Sequence, residues 1–211
     1  MARRTKEEAQ ATRTAVLDAA ERVFLRRGVA HTSLAEIAQA AGVTRGAIYG
    51  HFKDKADLFT AMMERVTLPL EAEIARVAKA DAASGDLLAL LREYVQAAIR
   101  QVVTDAQTRR VMEIAVLMVE HVDALGKLRT RRALALQANV KRAALILAKA
   151  ARQRGIRLPA SATVLARGLD ALLSGLIRHW LLERQFDLEA EARQVMDAYL
   201  RGIGLLESKI N

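Results

Sequence analysis

No cysteine occurs in the 211 residues, which excludes disulfides, thiol nucleophiles and cysteine metal sites. Proline is confined to Pro69 and Pro159, and aromatic residues make up only 4% of the chain. Scarce proline leaves long helices unbroken. Alanine and leucine dominate without sustained polar–apolar alternation, which argues against a sheet and for an all-α fold. Histidine is sparse too: His31, His51, His121 and His179 are scattered, with no Glu-x-x-His or His-Glu-x-x-His spacing. Neither a metal site nor a cofactor is expected. No apolar run reaches the length of a membrane span, and the charged N-terminus lacks the apolar core of a signal peptide. A cytoplasmic chain with no membrane partner is expected.

What the chain does have is 52% hydrophobic content, enough for one sizeable core or two small ones. It also carries a net charge of +9, which favours an anionic partner. Residues 1–66 hold eleven Lys/Arg against eight Asp/Glu, whereas residues 67–211 hold 22 against 16. Most of the excess therefore lies in the later part. Lys127, Arg129, Arg131, Arg132, Lys141, Arg142, Lys149, Arg152, Arg154 and Arg157 follow the single acid Asp123. A solvated basic helix face is the preferred reading of that stretch; long-range attraction to DNA or to anionic effectors is the alternative.

The stretch 34–52, LAEIAQAAGVTRGAIYGHF, reads as two short helices joined by a tight turn. Ile37, Ala38 and Ala41 lie on one face, and Val43 and Ile48 continue that face beyond Gly42. Glycine suits such a turn because a left-handed backbone costs it little. Thr44 is placed to cap the second helix, leaving Arg45, Ala47, Tyr49 and His51 on or near its outer surface. A recognition helix offers such a surface to a major groove. On spacing alone a merely structural hairpin remains the alternative. A helix over 13–27, with Val16, Ala19, Ala20, Val23 and Phe24 at helical spacing and Gly28 as its stop, props the hairpin. Ser33 and Glu36 form a possible capping box. Residues 1–12 read as a solvated tail, or as an arm touching phosphates.

The guanidinium fork of Arg45 matches guanine O6 and N7, which makes it the candidate for base readout. Thr32, Thr44, Tyr49, His51 and Lys55 carry donors suited to phosphate oxygens. For Tyr49 and His51 packing at the hairpin edge is the competing reading.

Further helices are expected at 54–78, bent at Pro69, and at 87–103, 107–122, 124–153, 161–185 and 188–206, about nine in all, with a loop at 80–86. The segment 161–185 is nearly apolar all round, so it should be buried all round. One face would line a cavity; another, with Gly168 and Gly175 permitting close approach, would meet a partner subunit, and the last helix would complete a four-helix dimer interface. Asp170, Ser174 and Arg178 recur at i, i+4 and i+8 as a polar stripe. Pairing with neighbouring helices and orientation of a ligand are both open for that stripe.

The run AERVFLRRGVAHTSLAEIAQAAGVTRGAIYGHFKDKADLF resembles the DNA-binding domain of the TetR family of bacterial regulators. Its most specific part is 46–52, which includes Gly46, followed by Lys53 and Lys55. The opening ARRTKEEAQATR is similar to the multidrug efflux-pump repressors of that family, the AcrR and TtgR branch. DAQTRR at 105–110 and SGLIRHWLL at 174–182 are similar to the effector domains of the same branch.

The resemblance implies a three-helix DNA-binding domain at 1–53 and a ligand-binding and dimerisation bundle at 54–211. It implies DNA-backbone contacts at Thr44, Tyr49, His51 and Lys55, and a ligand contact at Arg178 deep in a pocket. Met112 and Val116 stand where the branch carries polar side chains, so the pocket should be greasier, with Asn139 and Tyr94 as candidate hydrogen-bonding groups. Val66, Leu70, Val95, Leu136, Asp170, Ser174 and Ile177 complete the expected lining. Gly50 departs from the large aromatic residue that efflux repressors often carry.

The function so implied is a ligand-responsive repressor of a multidrug efflux pump, bearing on antibiotic resistance. Its partners would be palindromic or near-palindromic double-stranded operator DNA, a hydrophobic small-molecule effector and a second copy of the chain. A regulator of fatty-acid or signal-molecule metabolism, or a ligand-independent DNA-binding protein, are the alternatives. An enzyme is not expected: His179 and Glu183 lie at i, i+4, which is more often a surface contact than an acid–base site.

Overall fold

Nine α-helices make up the computed structural model among its described residues, 2–80, 86–118 and 126–207. In chain order they are α1 (Ala2–Arg27), α2 (Leu34–Ala41), α3 (Arg45–His51), α4 (Lys55–Ala80), α5 (Leu87–Thr104), α6 (Ala106–Leu117), α7 (Gly126–Gln153), α8 (Ala162–Glu183) and α9 (Leu188–Gly202). The fold is all-α. Among the described residues no helix is long and apolar enough to cross a membrane.

Two compact units divide the chain, residues 1–69 with 106–132 and residues 70–105 with 133–211. The first holds α1 to α3, α6, and the starts of α4 and α7. Its core gathers Val16, Ala20, Val23 and Phe24 of α1 with Ile37, Ile48, Phe52, Leu58, Phe59 and Met62. Phe24 and Phe59 meet with ring centroids 6.4 Å apart. Removing each such ring from water stabilises the unit by roughly 1.5–3 kcal/mol. Val111, Ile114 and Ala115 of α6 enter the same core, so α6 packs on α1 although the two lie far apart in sequence.

The expected solvated tail is instead the opening of α1, which is helical from Ala2. Lys6, Glu7, Glu8, Ala9 and Gln10 are good helix formers, and a helix already nucleated over its apolar part propagates into them cheaply. The Thr12 hydroxyl donates to the Glu8 carbonyl at 2.9 Å. Side chains 5–11 stay exposed, so no apolar period marks this part of the helix. α4 is continuous across Pro69.

In the second unit α5 buries Leu88, Leu91, Val95, Ile99 and Val102, and α9 buries Leu188, Ala192, Met196 and Leu200. Both sets recur every three or four residues, as one face of a helix requires. Arg92 and Asp197, at 2.9 Å, and Arg100 and Glu189, at 3.3 Å, join the same two helices. α9 stops short of the expected 206. Gly204 takes a left-handed conformation, φ +82°, and the Leu205 N–H turns back to the Leu200 carbonyl.

α8 departs from the expectation of burial on every side. Leu165, Ala166, Leu169, Trp180 and Leu181 are buried, while Val164, Leu172 and Leu182 are exposed within the chain. Gly168 also differs from its expected role, because it makes room for Tyr199 of the same chain. Around Gly175 the space is open. Residues 81–85 of the expected loop, and 119–125 of the expected helix junction, lie outside the described residues.

Candidate nucleic-acid interface

The hairpin is fixed at each joint by a local device its sequence supplies. At the start of α2 the Glu36 N–H donates to Ser33 Oγ at 3.2 Å, and Glu36 Oε2 accepts from the Ser33 N–H at 2.8 Å, a complete capping box. That backbone donor, seconded by the Ser33 hydroxyl and by Arg27, holds the Glu36 carboxyl below the usual carboxylate range. At the turn, Gly42 sits at φ +69° and the Val43 N–H returns to the Ala38 carbonyl at 3.0 Å. Thr44 then caps α3, its Oγ1 accepting from the Ala47 N–H at 3.1 Å.

α3 is anchored from within by Ile48 and ends on buried Phe52, over whose ring the Arg13 guanidinium lies 5.4 Å from the centroid. Thr44, Arg45, Gly46 and Tyr49 are left exposed, Tyr49 by 59%. His51 is half-buried, its ring 6.2 Å from that of Phe52.

Two predicted phosphate donors are engaged inside the chain. Thr32 is 3% exposed and its hydroxyl donates to the Gly28 carbonyl at 2.8 Å. Lys55 Nζ donates to the Ala30 and Thr32 carbonyls, each at 2.9 Å. Its ammonium thus pins the loop that leads into α2.

Sequence reasoning missed a buried charge on α1. Glu21 is 1% exposed. It accepts from Gln107 Nε2 at 2.9 Å and from the Arg110 guanidinium at 3.3 and 3.4 Å, and it lies 3.5 Å from Arg65. No local signal reveals it, because two of its partners follow some 86 residues later.

The expected ligand-lining residues fall in both units. In the first, Val66 is a core residue, and Met112 and Val116 are half-buried. In the second, Val95 is buried, and Tyr94 and Ile177 are half-buried. Leu136, Asn139, Ser174 and Arg178 are exposed, and Asn139 accepts from Arg142. Asp170 is half-buried, and burial pushes its carboxyl above the usual range. Leu70 lies where α4 has no described side chains.

Of the basic stretch, Arg154 donates to the Leu205 carbonyl at 2.7 Å and lies 3.7 Å from Asp86. Lys141, Lys149 and Arg157 are exposed. Among the described residues no group of three or more His, Asp or Glu is placed to hold a metal ion.

Comparison with known proteins places this geometry in a family. The description "Bacterial regulatory proteins, tetR family" matches residues 16–62, and "MAATS-type transcriptional repressor, C-terminal region" matches residues 86–204. The HTH-type transcriptional regulator TtgR of Pseudomonas putida is 41% identical over 182 residues, 86% of each chain. Among solved structures, NalD, the secondary repressor of the MexAB-OprM multidrug efflux pump in Pseudomonas aeruginosa, superposes with a TM-score of 0.82 at 34% identity, covering 93% of this chain and 98% of that one. SmeT, repressor of the Stenotrophomonas maltophilia multidrug efflux pump SmeDEF, gives in its triclosan complex a TM-score of 0.77 at 30% identity, over 95% and 96% of the two chains. With one match on the capped hairpin and the other on more than half of the sequence, the chain belongs to the TetR family of bacterial regulatory proteins, as a DNA-binding regulator and not an enzyme.

Proposed function

We propose that the chain is a dimeric repressor of a multidrug efflux pump that leaves its operator when a hydrophobic drug-like molecule binds. The observation that carries this reading is the exposed Thr44–Arg45–Gly46–Tyr49 face on a hairpin braced at every joint. NalD and SmeT, described as repressors of multidrug efflux pumps, and the SmeT complex with triclosan support the choice of pathway and of effector chemistry.

Residues 1–53 are the reading head and 54–211 the ligand-binding and dimerisation part. Arg45 reads a guanine edge, and its loss costs about 1–3 kcal/mol at one base position. Thr44, having spent a lone pair on its cap, retains a hydroxyl hydrogen for a phosphate. Tyr49 and His51 position the backbone beside it, and Gly46 lets a strand approach closely; the Lys55 ammonium, bound to two loop carbonyls, holds the loop instead. The inward hydroxyl of Thr32 leaves that residue holding the loop.

Two heads reading one palindrome require a dimer. The exposed Val164, Leu172 and Leu182 of α8, with open space at Gly175, supply an apolar face for a second copy. In the effector part Arg178, Asp170, Ser174, Asn139 and Tyr94 supply polar contacts. Val95, Leu136 and Ile177 supply apolar ones. For release, the ligand must favour the non-binding dimer by a coupling of about 1–3 kcal/mol.

The test is a titration at fixed salt of a fluorescent duplex from the gene's own upstream region, with and without triclosan and a panel of hydrophobic antibiotics and plant phenolics. Binding weakened by some compounds, and made indifferent to them by Arg178→Ala, supports the reading. Tight specific binding that no compound alters contradicts the release mechanism.

A further inference from the structure

The motif at 105–110 has no part in the DNA-facing surface, yet the structure puts two of its side chains to use. Gln107 and Arg110 project from the first turns of α6 onto the Glu21 carboxylate of α1. Arg65 of α4 approaches the same carboxylate at 3.5 Å and bonds Asp18 one turn earlier on α1. Three helices therefore converge on one charge that water barely reaches.

Apolar packing alone would not fix how α6 lies on α1. Val111, Ile114 and Ala115 bury apolar surface non-directionally, and a helix sliding by a fraction of a turn keeps much of that burial. Hydrogen bonds to a buried carboxylate are directional and costly to leave unmade. They select one register. The Arg110 side chain is 43% exposed, so it can return to water, while Gln107 and Arg65 stay with the carboxylate. The contact can be broken without stranding the charge.

At its other end α6 meets the head again. The Met118 carbonyl accepts from the Val29 N–H at 3.1 Å. Val29 opens the loop whose Ala30 and Thr32 carbonyls are gathered by Lys55, and that loop leads into the Ser33 cap of α2. A shift of α6 along α1 thus pulls on the start of the hairpin. The chain passes from one unit to the other within α4, at residues 69–70, just ahead of α6, at 105–106, and within α7, at 132–133.

We propose that Glu21 is the positioning residue through which α6 holds the helix-turn-helix in its DNA-binding posture, so that its charge, more than its bulk, sets affinity for DNA. The proposal rests on the repressor reading for its DNA arm alone.

Glu21→Gln, Arg110→Met, the double variant and Arg110→Lys separate this role from plain stability. Each is measured for affinity to the upstream duplex at fixed salt, for amide hydrogen exchange of the DNA-free protein, and for Tm. Glu21→Gln is expected to weaken DNA binding about tenfold or more, and to speed exchange at 29–44 by a similar factor, with α5 and α9 unchanged. Arg110→Met should act in the same direction, the double variant should be no worse than Glu21→Gln, and Arg110→Lys should recover part of the loss. The proposal is overturned if affinity and exchange at 29–44 stay within about twofold of the parent. Additive effects, or exchange rising equally in α5 and α9, overturn it as well. Should Glu21→Gln fail to fold, Arg110→Met and Arg110→Lys decide on the same readouts. A parent protein with no preference for the upstream duplex over random DNA would refute the repressor reading and leave the exchange comparison in force.

Discussion

The Tyr199 hydroxyl donates to the Leu165 carbonyl at 2.7 Å, directly above Gly168, where an added Cβ would lie 3.0 Å from the phenolic oxygen. Alanine at 168 gains up to about 1 kcal/mol of helix propensity. It must also push aside a hydroxyl whose bond contributes about 0.5–1.5 kcal/mol. Gly168→Ala should therefore be close to neutral in the parent and stabilising by about 1 kcal/mol in the Tyr199→Phe background. Denaturant unfolding of the four proteins measures the cycle, and additive effects would contradict the contact. Burial raises the Tyr199 phenol above its ordinary 10.0. The stability so gained is complete below that value and lost as pH rises through the folded one, so the parent should lose stability at high pH faster than Tyr199→Phe.

The capping box makes a second expectation. Ser33→Ala removes the acceptor for the Glu36 N–H and should cost about 1 kcal/mol. Because the Glu36 carboxyl is held below its ordinary 4.5, its contribution is present above that pH and disappears as pH falls through the folded value. Acid unfolding monitored by circular dichroism should show a shallower loss below pH 4.5 in Glu36→Gln than in the parent. Identical acid limbs would remove the carboxylate from the account.

Gly50 is exposed in the seven-residue α3, and a Cβ there meets nothing within 4 Å. Gly50→Ala should stabilise the protein by about 0.5–1 kcal/mol through reduced freedom of the unfolded chain. A rise in the urea midpoint at unchanged m-value is the expected record, and a fall would mean that the glycine answers a constraint absent from the free chain.

Leu172 is 45% exposed on α8. Leu172→Glu should leave the helical content intact, shift the chain toward monomer in analytical ultracentrifugation, and weaken operator binding with it. Retention of the parent's assembly state would exclude this face from the interface.

Much of this was legible in the chain because it was encoded locally. Ser33, Gly42 and Thr44 each act within a few residues of themselves, and the structure finds each in its expected role. What escaped is nonlocal or lacks contrast. Residues 5–11 of α1 bury no apolar stripe, so no period announced them. Glu21 reads as one polar position on an amphipathic helix until α6 folds back upon it. Thr32 has the chemistry of a phosphate donor, but the path of the loop turns its hydroxyl to the Gly28 carbonyl. Gly168 signals a close approach without saying to what, and Tyr199 of the same chain takes the space. The exposed leucines of α8 look like core in sequence because an interface with another copy would carry the same residues.

Sequence-specific reading of DNA through α3 is the central claim, and competition binding at one fixed salt concentration tests it most directly. The parent protein and Arg45→Ala are each titrated with a duplex of the gene's own upstream region and with a random duplex of equal length. The parent should prefer the upstream duplex by about a thousandfold or more. Arg45→Ala should lose roughly ten- to a hundredfold on that duplex and little on the random one. Equal affinity of the parent for both duplexes, or an Arg45→Ala loss shared equally between them, would contradict the account.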